Sequence, residues 1–183
     1  MNKILVTPEN FDVEADHMSC TVSYKWFKWH AWFLIFFAVI WNGFLVGWFS
    51  VDSPWFFKAF ASIHVAVGIG LVWYILCLFF NKTTITISKQ ELTVHHAPIP
   101  FFGYKNASLT RMDIQQIYII KEIKTNKNST TISFSLRVLT PKNKSIKLSI
   151  DCEDYESAIF IKRKVEEYMR IDPSPVEGEY LGN

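Results

Sequence analysis

The stretch Asn81-Lys82-Thr83-Thr84-Ile85-Thr86-Ile87-Ser88-Lys89-Gln90-Glu91-Leu92-Thr93-Val94-His95-His96-Ala97-Pro98-Ile99-Pro100 is where the chain changes its hydrophobic period. Ahead of it apolar residues run without interruption; within it they alternate. Thr84, Thr86 and Ser88 alternate with Ile85 and Ile87, Lys89-Gln90 makes a turn, and Leu92 and Val94 alternate with Thr93 and His95. Period two puts every second side chain on one face of a strand, so the stretch reads as an antiparallel hairpin with an apolar face. The residues on either side belong to two different kinds of structure.

Upstream, no Asp, Glu, Lys or Arg occurs from Trp29 to Val51, nor from Ala59 to Asn81, two windows of 23 residues each. At 1.5 Å per residue a helix of that length covers roughly the 30 Å hydrocarbon core of a bilayer. Half of the 183 residues are hydrophobic and 16% are aromatic, too apolar for an ordinary soluble domain. Asp52-Ser53-Pro54 marks the turn between the spans, with Pro54 in the first turn of the second helix or just before it. Trp29, Trp32, Trp48, Trp55 and Trp73 place indoles near the two interfaces.

Lys25 and Lys28 precede the first span, and 15 Lys and Arg follow from residue 82 onward, whereas the connector holds one Lys and one Asp. The positive-inside rule therefore puts both termini in the cytoplasm and the connector outside. The first run starts late and is longer than a signal-peptide core, so both spans are expected to be retained. A formal net charge of +2 implies no nucleic-acid partner. Of the three cysteines, Cys77 falls in a span while Cys20 and Cys152 are cytoplasmic, and no disulfide is expected.

Downstream, further β-rich segments run from Ile114 to Ile120, over Ile132, Phe134, Leu136 and Val138, and over Ile146, Leu148 and Ile150. The polar turn 124–129 and Pro141-Lys142-Asn143 separate them. Tyr155, Ala158, Ile161, Val165 and Tyr168 follow helical spacing, with Asp151 or Asp154 as cap and Pro173 as the stop. The polar N-terminal segment 1–28 carries a β-prone piece, Thr21-Val22-Ser23-Tyr24. The expected organisation is thus that segment, a transmembrane hairpin over 29–81, a mainly β cytoplasmic domain over 82–170, and a mobile tail over 171–183.

At least five antiparallel strands followed by one amphipathic helix is the order of a pleckstrin-homology-like (PH-like) barrel closed by its C-terminal helix. The Asn81-Lys82-Thr83 entry and the Pro98-Ile99-Pro100 turn resemble those of small bacterial membrane proteins that join a two-helix hairpin to a bacterial PH-like domain, over about residues 30–170. The resemblance implies a fold, a topology and the bacterial inner (cytoplasmic) membrane, not a reaction.

Four sets of residues are candidates for function. Gly43 and Gly47 in the first span, and Ser62, Ala66 and Gly70 in the second, form small-residue stripes that let helix backbones approach; the expectation is packing of one span on the other, with an interface to another chain as the rival. His64 lies off that stripe and faces lipid or another subunit. Its readings are a polar contact to a carbonyl or to Asn42, a ligand shared with a partner's haem, and a proton-linked role. His30 sits at the other end of its span, roughly 15 to 20 Å away in depth, so the two histidines share no metal or haem.

Pro98, Ile99, Pro100, Phe101 and Phe102 return to the membrane after the hairpin turn, either anchoring in the headgroups or filling the barrel mouth. Lys142, Lys144, Lys147, Lys162, Arg163 and Lys164 make a basic face for anionic headgroups or an ordinary solvated face. Asp16-His17-Met18-Ser19-Cys20 lacks a second ligand pair for zinc, and adjacent His95 and His96 point to opposite sides of a strand. No P-loop, nucleophile elbow, dinucleotide turn or H-E-x-x-H helix is present, so neither catalysis nor a resident cofactor or metal is expected. The functional expectation is a non-enzymatic membrane interaction or scaffold subunit bound to the bilayer and to another membrane protein or a second copy. Anionic-headgroup sensing, and a subunit lending His64 to a haem or proton site, are the alternatives.

Overall fold

The computed structural model describes residues 7–52, 54–126 and 129–182. Ser53 of the expected inter-helix turn, and Lys127 and Asn128 of the expected polar turn, lie outside the described residues. In chain order the elements are β1 (Asp12–Ala15), β2 (Ser19–Lys25), α1 (Ala31–Ser50), α2 (Trp55–Phe80), β3 (Lys82–Ser88), β4 (Glu91–Ala97), β5 (Ala107–Thr110), β6 (Gln116–Asn126), β7 (Ser129–Leu139), β8 (Ser145–Cys152) and α3 (Tyr155–Met169). They fall into a helical unit, residues 25–82 with 97–101, and a β unit made of the remainder.

In the β unit the strands form two sheets, β1-β2-β3-β4-β5 and β6-β7-β8, rather than one closed barrel. The piece around Val22 is a strand, β2, lying between β1 and β3. Alternation gives the core: Val22, Ile85, Ile87, Leu92 and Val94 from the first sheet meet Ile117, Ile119, Leu136, Val138, Leu148 and Ile150 from the second in one buried cluster. Helix α3 adds Ala158, Ile161, Val165 and Met169 to that cluster. Asp154, not Asp151, caps it, accepting from the Ser157 N–H at 2.6 Å and the Ser157 hydroxyl at 2.8 Å. At its other end Arg170 adopts φ 51°, and the Arg111 side chain donates to the carbonyls of Met169 and Arg170, which have no partner within the helix.

The alternating stretch after Asn81 forms β3 and β4, and its turn is held by Ser88. The Ser88 hydroxyl oxygen accepts from the Gln90 and Glu91 N–H groups at 3.3 and 3.0 Å, and the hydroxyl donates to the Glu91 carbonyl at 3.1 Å. His96 is buried on β4 while His95 points outward, as alternation requires. Burial lowers the His96 pKa, and its Nδ1 lies 3.0 Å from the Thr83 hydroxyl. Cys152 sits in the same core, its thiol pushed up to about 12 by burial.

Residues 171–183 were expected to be mobile; those described are docked on the β unit. The Tyr180 N–H donates to the Ile119 carbonyl at 2.8 Å, covering the edge of β6, and the Tyr180 ring packs against Phe134 and Tyr155. Gln116 donates to the Asp172 carbonyl and to Ser174. Glu179, its side chain 3% exposed, pairs with Lys162. The prolines and glycines of this stretch shape a strap instead of loosening a tail.

Lys162 also faces Glu166 at 3.6 Å, so two carboxylates share one ammonium in a nearly dry cluster. Burial raises the Glu166 pKa, and the attraction of Lys162 does not fully offset it. A carboxyl with a raised folded-state pKa binds more protons folded than unfolded, so stability falls as pH rises from the ordinary carboxylate range through the raised value. Glu166→Gln is expected to flatten that part of the pH–stability curve and to gain up to ~1 kcal/mol at neutral pH, read by urea unfolding of the full chain in detergent.

Candidate functional site

The helical unit is the part of the chain with the least ordinary surface. Helix α1 has 20 residues and α2 has 26, about 30 and 39 Å of helix, long and apolar enough to cross a bilayer. Neither shows a polar face: Phe36, Val39, Ile40, Phe44 and Val46 on α1, and Phe60, Ile63, Val67 and Ile69 on α2, are all exposed. An apolar surface on every side is the pattern of a helix solvated by lipid. Helix α2 begins at Trp55, four residues before its charge-free window, and Pro54 precedes it directly.

The face on which the helices meet is not the small-residue stripe. Ala31, Ala38 and Leu45 are the buried residues of α1, and Ala61, Gly68 and Ile75 lie seven apart among those buried on α2. Gly43, Gly47 and Gly70 have open space where a Cβ would project, and Ser62 and Ala66 are exposed. Among the glycines of the two helices Gly68 has the tight surroundings: an added Cβ would lie 2.8 Å from Asn42 Oδ1 and 3.4 Å from Trp41 Cδ1. A glycine here makes room for an asparagine and an indole, so large partners decide which small residue faces inward.

His64 is corrected with the stripe: it belongs to the hairpin's own contact. Its ring stacks on Trp41 with centroids 5.7 Å apart, and the Trp41 indole N–H donates to the His64 carbonyl at 3.3 Å. His64 Nδ1 lies 3.3 Å from the Phe60 carbonyl, while Asn42 donates to the Ala38 carbonyl at 2.8 Å. The Asn42 and His64 side chains thus each turn back on their own helix, and the two do not bond to each other.

The end of the hairpin away from residues 52–54 is built around Asn81. This residue closes α2, is 1% exposed, and bonds through both the nitrogen and the oxygen of its amide. Its Nδ2 donates to the Ile99 carbonyl at 2.7 Å and its Oδ1 accepts from the Ile99 N–H at 2.8 Å. Its backbone carbonyl accepts from the Trp26 N–H at 3.1 Å. Asn81 therefore ties the approach to α1, the end of α2 and the loop after β4 into one junction. Phe101 packs edge-on against Trp26 and beside Tyr74, and Phe79 is met by Phe27 and Trp32. Phe102, the next residue, is 96% exposed. From sequence Asn81 marked the end of a span and opened the Asn81-Lys82-Thr83 entry, with no contact expected of it; an asparagine closing an apolar run ahead of a strand was the available signal.

Three of the six basic residues are paired with carboxylates. Lys147 pairs with Glu122 and Asp151 at 3.0 and 3.2 Å, Lys164 with Glu167 at 2.9 Å, and Lys162 is buried against Glu166 and Glu179. Lys142, Lys144 and Arg163 are exposed. Burial acts to raise the Glu122 pKa, but hydrogen bonds from Lys147, Ser135 and Arg137 bring it below the ordinary value. Near the N-terminus, Cys20 points into the core while His17 is exposed, and no cluster of metal-ligating side chains occurs among the described residues. The chain matches no family model and no curated protein sequence.

Proposed function

We propose that this chain is a two-span membrane interaction protein, non-enzymatic, acting as an accessory or assembly subunit of a bacterial inner-membrane complex. The helical unit crosses the bilayer with both termini in the cytoplasm, and the β unit is a PH-like module presented there. The observation that carries this reading is the outward position of Gly43, Gly47, Ser62, Ala66 and Gly70. Small residues on a lipid-facing surface let another helix approach closely, and the hairpin does not consume them. The pairing of Lys147, Lys162 and Lys164 with carboxylates favours this over headgroup sensing by the β unit. The placement of His64 against Trp41 favours a packing role over a ligand role.

Purification from native membranes in mild detergent tests the proposal. A stoichiometric partner, a different protein or a second copy, is expected, and the double variant Gly43→Leu, Gly47→Leu is expected to lower its recovery about tenfold without unfolding the chain. A chain that migrates alone overturns it.

A further inference from the structure

The Asn81 junction gathers a set of groups that the docking reading leaves unused. Lys25 and Lys28 lie just before α1, Lys82 directly follows Asn81, and all three are exposed. The Trp26–Asn81 backbone hydrogen bond holds the two chain segments that carry them together. Around them stand exposed Trp29 and Phe27, exposed Pro98 and Pro100, and Phe101 packed on Trp26 and Tyr74. Among the described residues of this unit, the one other Lys is Lys58, in the first turn of α2, and the one acid is Asp52 beside the inter-helix turn.

We infer that this end of the hairpin is a collar that sits at headgroup depth and takes anionic phospholipid, with the loop 97–101 as its third element beside the two helix ends. Indoles occupy the interfacial layer, where amphipathic aromatic rings are favoured. Lysine stems lie along apolar surface while their ammonium groups reach the phosphates. Ammonium groups near the surface of an anionic leaflet are drawn to its phosphates, and three together bias which lipid is held. The loop is fixed in this layer because Asn81 grips the Ile99 backbone from both sides. The inference rests on the membrane-spanning reading.

Spin labels on the full chain test it in nanodiscs of phosphatidylcholine and of equal parts phosphatidylcholine and phosphatidylglycerol. The native cysteines are buried, so Pro100→Cys, Ile69→Cys and Met112→Cys give exposed labelling sites. Relaxation by oxygen and by a water-soluble nickel complex is expected to place Ile69 in the hydrocarbon, Met112 in water and Pro100 at the headgroups. Replacing Lys25, Lys28 and Lys82 together with Gln is expected to reduce preferential retention of phosphatidylglycerol, read by native mass spectrometry, about tenfold. A Pro100 label as water-exposed as Met112, with Ile69 still deep, overturns the collar and leaves the spanning reading standing; a water-exposed Ile69 overturns both. Retention unchanged by the lysine replacements overturns the anionic preference.

Discussion

Replacing Asn81 with Ala releases the loop after β4, and the Ile99 amide exchanges its hydrogen about 10- to 100-fold faster in the full chain in detergent. The magnitude follows from what is lost. Two hydrogen bonds disappear, and the Ile99 N–H and carbonyl must find water or remain unsatisfied, which for partly buried groups costs about 2 kcal/mol. Phe101 then loses the restraint that holds it between Trp26 and Tyr74. Asn81→Asp separates the two bonds: its carboxylate still accepts from the Ile99 N–H but no longer donates to the carbonyl, and it places a charge at a position 1% exposed. It is expected to be no better than Ala. Exchange at Ile85, in the middle of β3 and facing the core, should stay unchanged in both variants. Equal exchange at Ile99 in the parent and the Ala variant would show that the amide bridge holds nothing.

Asn81 also shows what sequence reasoning could and could not reach. The change of hydrophobic period at this residue was legible, because a continuous apolar run and a period-two run impose different geometries on any chain. The helices, the hairpin of β3 and β4, the long strands β6 and β7, and the core face of α3 follow from such patterns. Elements too short to show a period were not legible: β1 and β5 have four residues each and exist because β2 and β4 offer edges to pair with. The strap of residues 172–182 was missed for a related reason. Its anchors are single residues, Glu179 on Lys162 and Tyr180 on Ile119, whose partners are remote in sequence. The same limit applied to the basic residues: Lys162 looked like surface until its two carboxylates were placed. The closed barrel was an inference from element order, and order does not decide whether eight strands close into one sheet or divide into two.

Gly68→Leu is expected to splay the hairpin, whereas Gly43→Leu leaves it intact. The two glycines look alike in sequence, each in an apolar run with a second glycine nearby, Gly47 for Gly43 and Gly70 for Gly68. Space separates them: a Cβ at Gly68 meets Asn42 Oδ1 at 2.8 Å and Trp41 Cδ1 at 3.4 Å, and a Cβ at Gly43 meets nothing within 4 Å. Asn42 cannot simply swing aside, because its Nδ2 is bonded to the Ala38 carbonyl, and Trp41 is engaged with His64 by ring and by indole N–H. A leucine there must displace both contacts or push the helices apart, at a cost of about 1–3 kcal/mol. Electron–electron distance measurements between labels at exposed Ile40 and Val67 should broaden and lengthen for Gly68→Leu and match the parent for Gly43→Leu. Partner recovery should show the opposite pattern in its direct effect, falling for the outward glycine while the hairpin distance is preserved. Parent-like distances for Gly68→Leu would mean that the contact through Asn42 and Trp41 does not hold the helices together. Loss of the hairpin on Gly43→Leu would return the small-residue stripe to the interior and remove the surface on which lateral docking depends.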